Sequence, residues 1–237
     1  MKNFMVLGKY PVIEAIKSNT VEVIKVYILS QNVKYLQKLN YNNFEVVEKK
    51  FFKKIVNNQD ILHQGFAAKI IKKSSNLKSL IKSNSNIVLL DGVNDPRNQG
   101  SIIRNCLAFN VKDIIIEKKI YKEDSFVMHI TACGATMNTR IYIVSNLNNI
   151  IKDLKNNDFH IFGLDNSGKI SIEQFNFNSN KNVLIFGSEG YGMRKNISEK
   201  CDTILKININ DDVESLNVSN ASAISLYELN KKKPPVN

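Results

Sequence analysis

Residues 87–104 have the sequence IVLLDGVNDPRNQGSIIR, in which an apolar run gives way to turn-forming residues and then to a helical pattern. An uninterrupted apolar run of this length is typical of a strand that is buried on both faces of a parallel sheet. We therefore expect a strand over residues 87–90 and a helix over residues 98–109. Ligands of open parallel sheets bind beyond the carboxyl ends of the strands, so this junction is a candidate binding site.

The same sequence pattern continues towards the C-terminus, where short apolar segments that predict strands alternate with segments that predict helices. This alternation predicts an α/β fold with a mostly parallel sheet that is covered on both faces. The further strands are predicted at residues 113–116, 141–144, 159–162, 183–186 and 203–209. A last helix is expected over residues 221–229.

The front of the chain differs in composition and predicts a small α/β domain over residues 1–72. Helices are expected at residues 10–16, 31–39 and 51–56, and strands at 21–29, 44–47 and 66–71. A polar stretch at residues 73–86 resembles a linker, with one helical turn at 77–81. The remaining residues, 87–237, are expected to form the second domain.

Composition favours a polyanionic partner and a reducing compartment. The formal net charge is +11, although abundant lysine also reflects coding bias. The three cysteines, Cys106, Cys133 and Cys201, are scattered and form no Cys-x-x-Cys pair, so neither a disulfide framework nor a zinc knuckle is predicted. No apolar run reaches the length of a membrane span and no signal peptide is recognised, so we expect a cytoplasmic protein without a membrane.

Two further turn-rich segments follow or interrupt apolar runs. They are FGSEGYGM at residues 186–193 and SLNVS at residues 215–219. A carboxylate between glycines, as at Glu189, has nothing to pack against and is either solvated or bound to a ligand. Taken singly, each segment has a simpler interpretation: Asn98 as a helix cap with a solvated Arg104, and residues 215–219 as a cap cluster before a helix.

Together, and in this order, the three segments resemble the motifs of the SpoU (TrmH-type) RNA ribose 2′-O-methyltransferases of the SPOUT superfamily. They match Asp-Pro-x-Asn-x-Gly-x-x-x-Arg, Gly-x-Glu-Gly-x-Gly and Ser-Leu-Asn-Val-Ser. The resemblance implies a deep trefoil knot in the C-terminal domain, an obligate homodimer and S-adenosylmethionine as cofactor. It also implies methyl transfer to the ribose 2′-OH of a nucleotide in RNA. The members that the chain resembles most act on a guanosine of 23S rRNA, so this nucleotide is the expected substrate.

The motif positions also imply roles for individual residues. The catalytic centre is expected to contain Asn98, Arg104, Glu189, Ser215 and Asn217. The cofactor is expected to contact Gly187, Gly190, Ile207 and Leu216. Since guanidinium stays protonated, we expect Arg104 to bind the target phosphate and orient the 2′-oxygen, with phosphate or water taking the proton. Glu189 is expected to pair with Arg104 or with a neighbouring backbone N–H.

The front domain resembles the RNA substrate-binding domain of rRNA-acting members, over residues 8–16 and 63–68. Three positions depart from the usual family pattern. Asn110 replaces a glycine, which is mild because asparagine tolerates a left-handed backbone. Asn220 replaces an apolar residue and needs a partner if it is buried. Tyr10 replaces a frequent histidine.

Other function classes remain to be compared with this prediction. One is a tRNA 2′-O-methyltransferase of the same fold, although tRNA-acting relatives often lack the front domain. Another is a non-catalytic RNA-binding ribosome-assembly factor. A nicotinamide dehydrogenase is excluded because no Gly-x-Gly-x-x-Gly opens a helix. The histidines do not cluster with carboxylates or cysteines, so no metal site is expected; they are His63, His129 and His160.

Overall fold

The computed structural model describes residues 3–57, 60–177 and 179–231 of the 237-residue chain. In chain order the helices are α1 (Lys9–Lys17), α2 (Val33–Gln37), α3 (Lys49–Ile55), α4 (Leu77–Ile81), α5 (Pro96–Ala108), α6 (Phe126–Thr131), α7 (Leu147–Lys155), α8 (Lys195–Ser198) and α9 (Val218–Lys231). The strands are β1 (Phe4–Leu7), β2 (Val21–Ile28), β3 (Phe44–Val46), β4 (Phe66–Lys72), β5 (Ile87–Leu90), β6 (Asp113–Glu117), β7 (Arg140–Val144), β8 (His160–Leu164), β9 (Ile170–Ser171), β10 (Asn182–Phe186) and β11 (Thr203–Lys206). No helix among these residues combines the length and apolarity needed to cross a membrane.

The chain divides into two compact units, one of residues 1–74 with 122–138 and one of residues 75–121 with 139–237. This division differs from the predicted boundaries. Residues 122–138 belong to the first unit, although the sequence placed them in the second domain. Most of the predicted linker belongs to the second unit, because Leu77, Leu80 and Ile81 of α4 pack into its core.

The first unit is built on a four-stranded sheet, formed within the described residues in the order β1-β4-β2-β3. Strand β4 pairs antiparallel with both β1 and β2, and β2 pairs parallel with β3. Residues 122–138, which we call the inserted segment, join this unit because their apolar side chains enter the same core. Met137 is buried in the cluster around Phe66, while Phe126 and Ile130 pack against Leu7 and Phe52.

Buried polar groups also connect the inserted segment to β4, through His129 and Thr136 on the segment and Lys72 on the strand. The Nε2 of His129 lies 2.8 Å from the carbonyl oxygen of Glu123, which can only accept, so Nε2 carries the proton and Nδ1 accepts from Thr136 Oγ1 at 2.8 Å. Lys72 Nζ donates to the Thr136 carbonyl. Burial lowers the pKa of His129 to about 4 and that of Lys72 to about 8.

The second unit contains a seven-stranded sheet within the described residues, in the order β7-β6-β5-β10-β8-β11-β9. All neighbouring pairs run parallel, as the apolar runs predict. Strands β5 and β10 lie side by side with Leu90 opposite Phe186, so the turns that follow them leave the sheet at the same edge. The α/β prediction with a parallel sheet is confirmed; the trefoil knot stays a prediction.

Candidate functional site

The first segment leaves β5 and enters α5 with a different cap from the one expected. The Oδ1 of Asp95 accepts from the backbone N–H of Arg97 at 2.8 Å, so Asp95 is the cap and Asn98 lies inside the helix, where it is 8% exposed. The interpretation of Asn98 as the cap was wrong. Arg104 is exposed on the same helix, about 9 Å further along its axis and roughly 240° around it. Asn98 and Arg104 therefore face different directions.

The second segment forms a tight hairpin at the end of β10. Ser188 and Gly192 exchange backbone hydrogen bonds of 2.9 and 3.0 Å, while Gly190 and Gly192 have φ angles of 83° and 64°. A Cβ on Gly187 would lie 2.2 Å from the carbonyl carbon of Gly192. Glycine is required at position 187 because the hairpin folds back directly onto that backbone.

An ion-pair network holds the end of this hairpin against the neighbouring strands. Arg194 donates from its backbone N–H to Asp91 Oδ2 at 2.8 Å and from Nε to Asp91 Oδ1 at 2.6 Å. Its Nη2 donates to Glu117 Oε2 at 3.0 Å. Asp91 follows β5 and Glu117 ends β6, so this network joins the hairpin to both strands.

The third segment leads into α9, and Asn217 connects it to the other two segments. Asn217 Oδ1 accepts from the backbone N–H of Ser219 at 2.9 Å, as a capping residue does. Its Nδ2 donates to Asn98 Oδ1 at 3.2 Å and to Glu189 Oε1. The cap interpretation is thus correct but incomplete, since one amide oxygen caps α9 and the amide nitrogen reaches the site.

The three distant segments meet at a polar junction of Asn98, Glu189 and Asn217, which we call the Asn98 junction. Asn98 Nδ2 donates to Glu189 Oε2 at 3.0 Å, so both carboxylate oxygens of Glu189 accept from side-chain amides. The expectation for Glu189 named Arg104 or a backbone N–H as its partner, and these amides were not foreseen. The amides hold the carboxylate in one orientation beside the hairpin.

A cavity of about 350 Å³ opens beside this junction. It is lined by Leu164, Asp165, Asn166, Phe186, Gly187, Ser188, Glu189, Gly190, Tyr191, Gly192, Ile207, Glu214, Ser215, Leu216, Val218 and Ala221. All the residues predicted to contact the cofactor are among them, as are Glu189 and Ser215. Asn98 and Asn217 border it through their bonds to Glu189, whereas Arg104 is not among the lining residues.

Sequence reasoning missed two groups of residues at this site. Asp165 and Asn166 follow β8, which lies next to β10 in the sheet, so the sheet order explains their position at the cavity. The network of Asp91, Glu117 and Arg194 was also missed. The sequence contained one indication of this network. Asp91 directly follows a buried strand, and an acidic residue in that position needs a partner.

The structure shows the backbone conformation or the exposure of the three residues that depart from the family pattern. Asn110 has a φ of 57°, so it adopts the left-handed conformation as expected. Asn220 is exposed, so the buried partner considered for it is not needed. Tyr10 is 55% exposed at the start of α1. Among the described residues, no group of three His, Cys, Asp or Glu side chains is arranged to hold a metal ion.

Comparison with known proteins agrees with this geometry. Residues 85–227 match the model of the SpoU rRNA Methylase family. The chain is 31% identical to an uncharacterized tRNA/rRNA methyltransferase of Borreliella burgdorferi, covering 91% of this chain and 95% of that protein. It is 33% identical to the 23S rRNA (guanosine-2′-O-)-methyltransferase RlmB of Coxiella burnetii, covering 72% of this chain and 71% of the relative.

Solved structures share the fold over nearly the whole chain. The SpoU methyltransferase AviRb of Streptomyces viridochromogenes, crystallised with AdoMet, has a TM-score of 0.82 at 18% identity, covering 97% of this chain and 90% of its own. An AdoMet-bound rRNA methyltransferase of Sinorhizobium meliloti has a TM-score of 0.79, covering 97% of this chain and 87% of its own. The fold is therefore that of a SpoU-type methyltransferase. The chain belongs to the SpoU rRNA methylase family and is an RNA methyltransferase.

Proposed function

We propose that this enzyme transfers a methyl group from S-adenosylmethionine to the ribose 2′-OH of a guanosine in 23S rRNA. The observation that carries the proposal is the Asn98 junction, where the three motif segments meet at the edge of one cavity. The relatives named as guanosine-2′-O-methyltransferases of 23S rRNA support the choice of substrate.

The cavity fits the cofactor in size and in chemistry. Its volume of about 350 Å³ lies within the range of small-molecule sites. Apolar side chains such as Phe186, Ile207 and Leu216 suit an adenine ring, and the turn backbone at 187–192 offers polar groups for its edge. The carboxylates of Glu189 and Glu214 favour a positive charge, and the bound cofactor supplies an electrophilic methyl group on its sulfonium.

The protein's task in this reaction is alignment and the exclusion of water. The Asn98 junction holds Glu189 in one orientation at the cavity. In this proposal, Ser215, which lines the cavity, contacts the acceptor ribose. Arg104 binds the phosphate beside that ribose. Arg104 would then orient the 2′-oxygen, while phosphate or water takes the proton.

The direction of Arg104 supports a homodimeric enzyme. Arg104 faces a different direction from Asn98 on the same helix and does not line the cavity, so a complete centre requires another surface to bring it to an acceptor. Exposed apolar side chains lie on α9, which packs against α5; Ile224 is 37% and Tyr227 52% exposed. We propose that a second copy covers this α5–α9 face. The trefoil knot and the cytoplasmic location also stay predictions.

The first unit supplies an RNA-binding surface in this proposal. Four exposed lysines lie on α3, namely Lys49, Lys50, Lys53 and Lys54, and Lys9 Nζ lies 4.0 Å from the centre of the Tyr35 ring. Lysines of this kind bind phosphates in a salt-dependent way. With a net charge of +11, the chain is expected to bind RNA more weakly as salt rises.

The test compares cofactor binding with methyl transfer on two RNAs. Calorimetric titration should show one S-adenosylmethionine bound per chain. Tritiated methyl groups should then appear in an unmodified 23S rRNA transcript and not in tRNA. Incorporation into tRNA alone would favour the tRNA enzyme, which the double tRNA/rRNA names of some relatives keep open. RNA binding without any cofactor binding would favour the assembly factor.

A further inference from the structure

Tyr191 stands at the tip of the hairpin that borders the cavity. Its side chain is 95% exposed, more than any other large hydrophobic residue in the described part of the chain. It lines the cavity together with the glycines on either side of it. An aromatic side chain contributes most when it is buried, so this exposure has no explanation in the packing of the fold.

The backbone that carries Tyr191 is nevertheless held from both sides. The bonds between Ser188 and Gly192 close the hairpin around it, and Glu189 is bound to Asn98. On the other side, Arg194 is anchored to Asp91. The ring therefore projects from a fixed position, and a partner that stacks on it orders little additional backbone.

The space beside the ring is open. A Cβ at Gly190 would meet no heavy atom within 4 Å, so the hairpin leaves room on that side for a flat group. We take the acceptor to lie in a single-stranded loop or bulge, because proteins recognise individual RNA nucleotides mostly in such segments, where the bases are unstacked. The unstacked base then exposes both of its faces, and aromatic side chains are the usual surface on which such bases stack.

We propose that Tyr191 stacks on the base of the acceptor nucleotide and so positions its ribose at the cavity. This inference rests on the proposed function, since it assigns a contact to the substrate of that reaction. Stacking needs the ring and not the hydroxyl, because the tyrosine oxygen takes no part in the contact between the two π-systems.

The test is a steady-state comparison of Tyr191→Ala, Tyr191→Leu and Tyr191→Phe on an unmodified 23S rRNA transcript. We expect Tyr191→Ala to raise KM for RNA about 5- to 150-fold, the effect of losing one stacked base. Tyr191→Leu should be nearly as impaired, because it keeps apolar area but no π-face. Tyr191→Phe should match the wild type. Calorimetry should find the Kd for S-adenosylmethionine much less affected than KM for RNA in all three, because the ring borders the cavity but is 95% exposed.

A spectroscopic experiment tests the contact itself. A short RNA carrying 2-aminopurine at the mapped acceptor position should lose fluorescence on binding the wild type and Tyr191→Phe, and much less on binding Tyr191→Leu. Thermal unfolding should be the same for all variants, because the side chain is exposed.

The outcomes separate this inference from the function on which it rests. An active wild type with an unchanged KM for RNA in Tyr191→Ala overturns the stacking role alone. A Kd for S-adenosylmethionine that weakens as much in Tyr191→Ala as KM for RNA rises also overturns it, because the ring would then serve the cofactor and not the acceptor base. A wild type that methylates neither 23S rRNA nor tRNA removes the proposed function and the inference with it.

Discussion

The side-chain amide of Asn98 donates to Glu189 Oε2 at 3.0 Å across 91 residues of sequence. This bond joins the first turn of α5, the helix that follows β5, to the hairpin after β10, and it forms because β5 and β10 are neighbours in the sheet. Asn217 completes the junction from the third segment. The candidate centre is thus held together by side-chain hydrogen bonds among the first turn of α5, the hairpin and the segment before α9.

We expect Asn98→Ala to lower kcat about 10- to 100-fold, because Glu189 loses one of the two amide donors that orient it. The matched control is Asn105→Ala on the same helix, whose amide donates to Ser219 O at 2.9 Å and Ser222 Oγ at 3.0 Å and joins α5 to α9. This control should lose about 1–2 kcal/mol of unfolding free energy and keep kcat close to wild type. Equal losses of kcat in both variants would contradict a special role for Asn98.

Arg104→Ala should abolish methyl transfer while S-adenosylmethionine binds with nearly wild-type affinity, since Arg104 lies outside the cavity lining. Arg104→Lys should restore little activity, because an ammonium lacks the planar fork that holds a phosphate. Arg97→Ala removes another exposed positive charge from α5 and is the control. A near wild-type turnover of Arg104→Ala in the tritium assay would refute the assignment.

Gly187→Ala should weaken S-adenosylmethionine binding more than 10-fold, because the added Cβ would lie 2.2 Å from backbone carbon of the hairpin. Gly190→Ala is the matched comparison. Its φ of 83° costs about 1–2 kcal/mol for alanine, but the added methyl group meets nothing within 4 Å. Calorimetry should therefore rank Gly190→Ala well above Gly187→Ala in cofactor affinity, and the reverse order would count against the hairpin geometry.

Arg194→Ala should lower the free energy of unfolding by about 2 kcal/mol, because it leaves the buried Asp91 carboxylate without its main partner. This value is below the usual loss of about 3–5 kcal/mol for a broken buried pair, because Arg194 is 40% exposed. A double-mutant cycle with Asp91→Asn, followed by urea unfolding, isolates the pair. Additive losses in the cycle would mean that the two side chains do not stabilise the hairpin together.

Acid should destabilise the first unit through His129. Burial holds its pKa at about 4 in the folded protein against 6.5 in the unfolded chain, so the unfolded state binds the proton first. The stability contributed by the neutral ring is complete above pH 6.5 and falls by about 3 kcal/mol by pH 4. Lys72 and Asp124 are the charged neighbours, and Lys72 keeps its proton in both states throughout this window.

Urea unfolding between pH 7 and pH 4 measures this dependence. The slope of the free energy of unfolding against pH should become shallower in His129→Gln. It should stay steep in His160→Gln, which changes an exposed histidine. An unchanged slope in His129→Gln would show that other groups cause the acid sensitivity.

Local patterns in the sequence predicted most strands, because each buried strand of a parallel sheet is a short apolar run. They did not predict where the last strand ends: β11 stops at Lys206, and Ile207 lines the cavity although it continues the apolar pattern. Strand β1, Phe4–Leu7, was also missed, although its apolar run is as long as that of β5.

The motifs predicted which residues border the cavity, and tertiary structure decided much of the rest. Asp95 rather than Asn98 caps α5; this was a missed local signal, because an aspartate directly before a proline in the first helical turn is typical of a helix start. The inserted segment at 122–138 joins the first unit through buried contacts such as that of Met137, which no local pattern indicates.

The most direct test of the account is to identify the methylated atom. Unmodified 23S rRNA incubated with the enzyme and S-adenosylmethionine, then digested to nucleosides and analysed by mass spectrometry, should contain one new nucleoside, 2′-O-methylguanosine, that is absent with Arg104→Ala. A methyl group on a base, or a ribose methylated to the same extent by the Arg104→Ala enzyme, would contradict it.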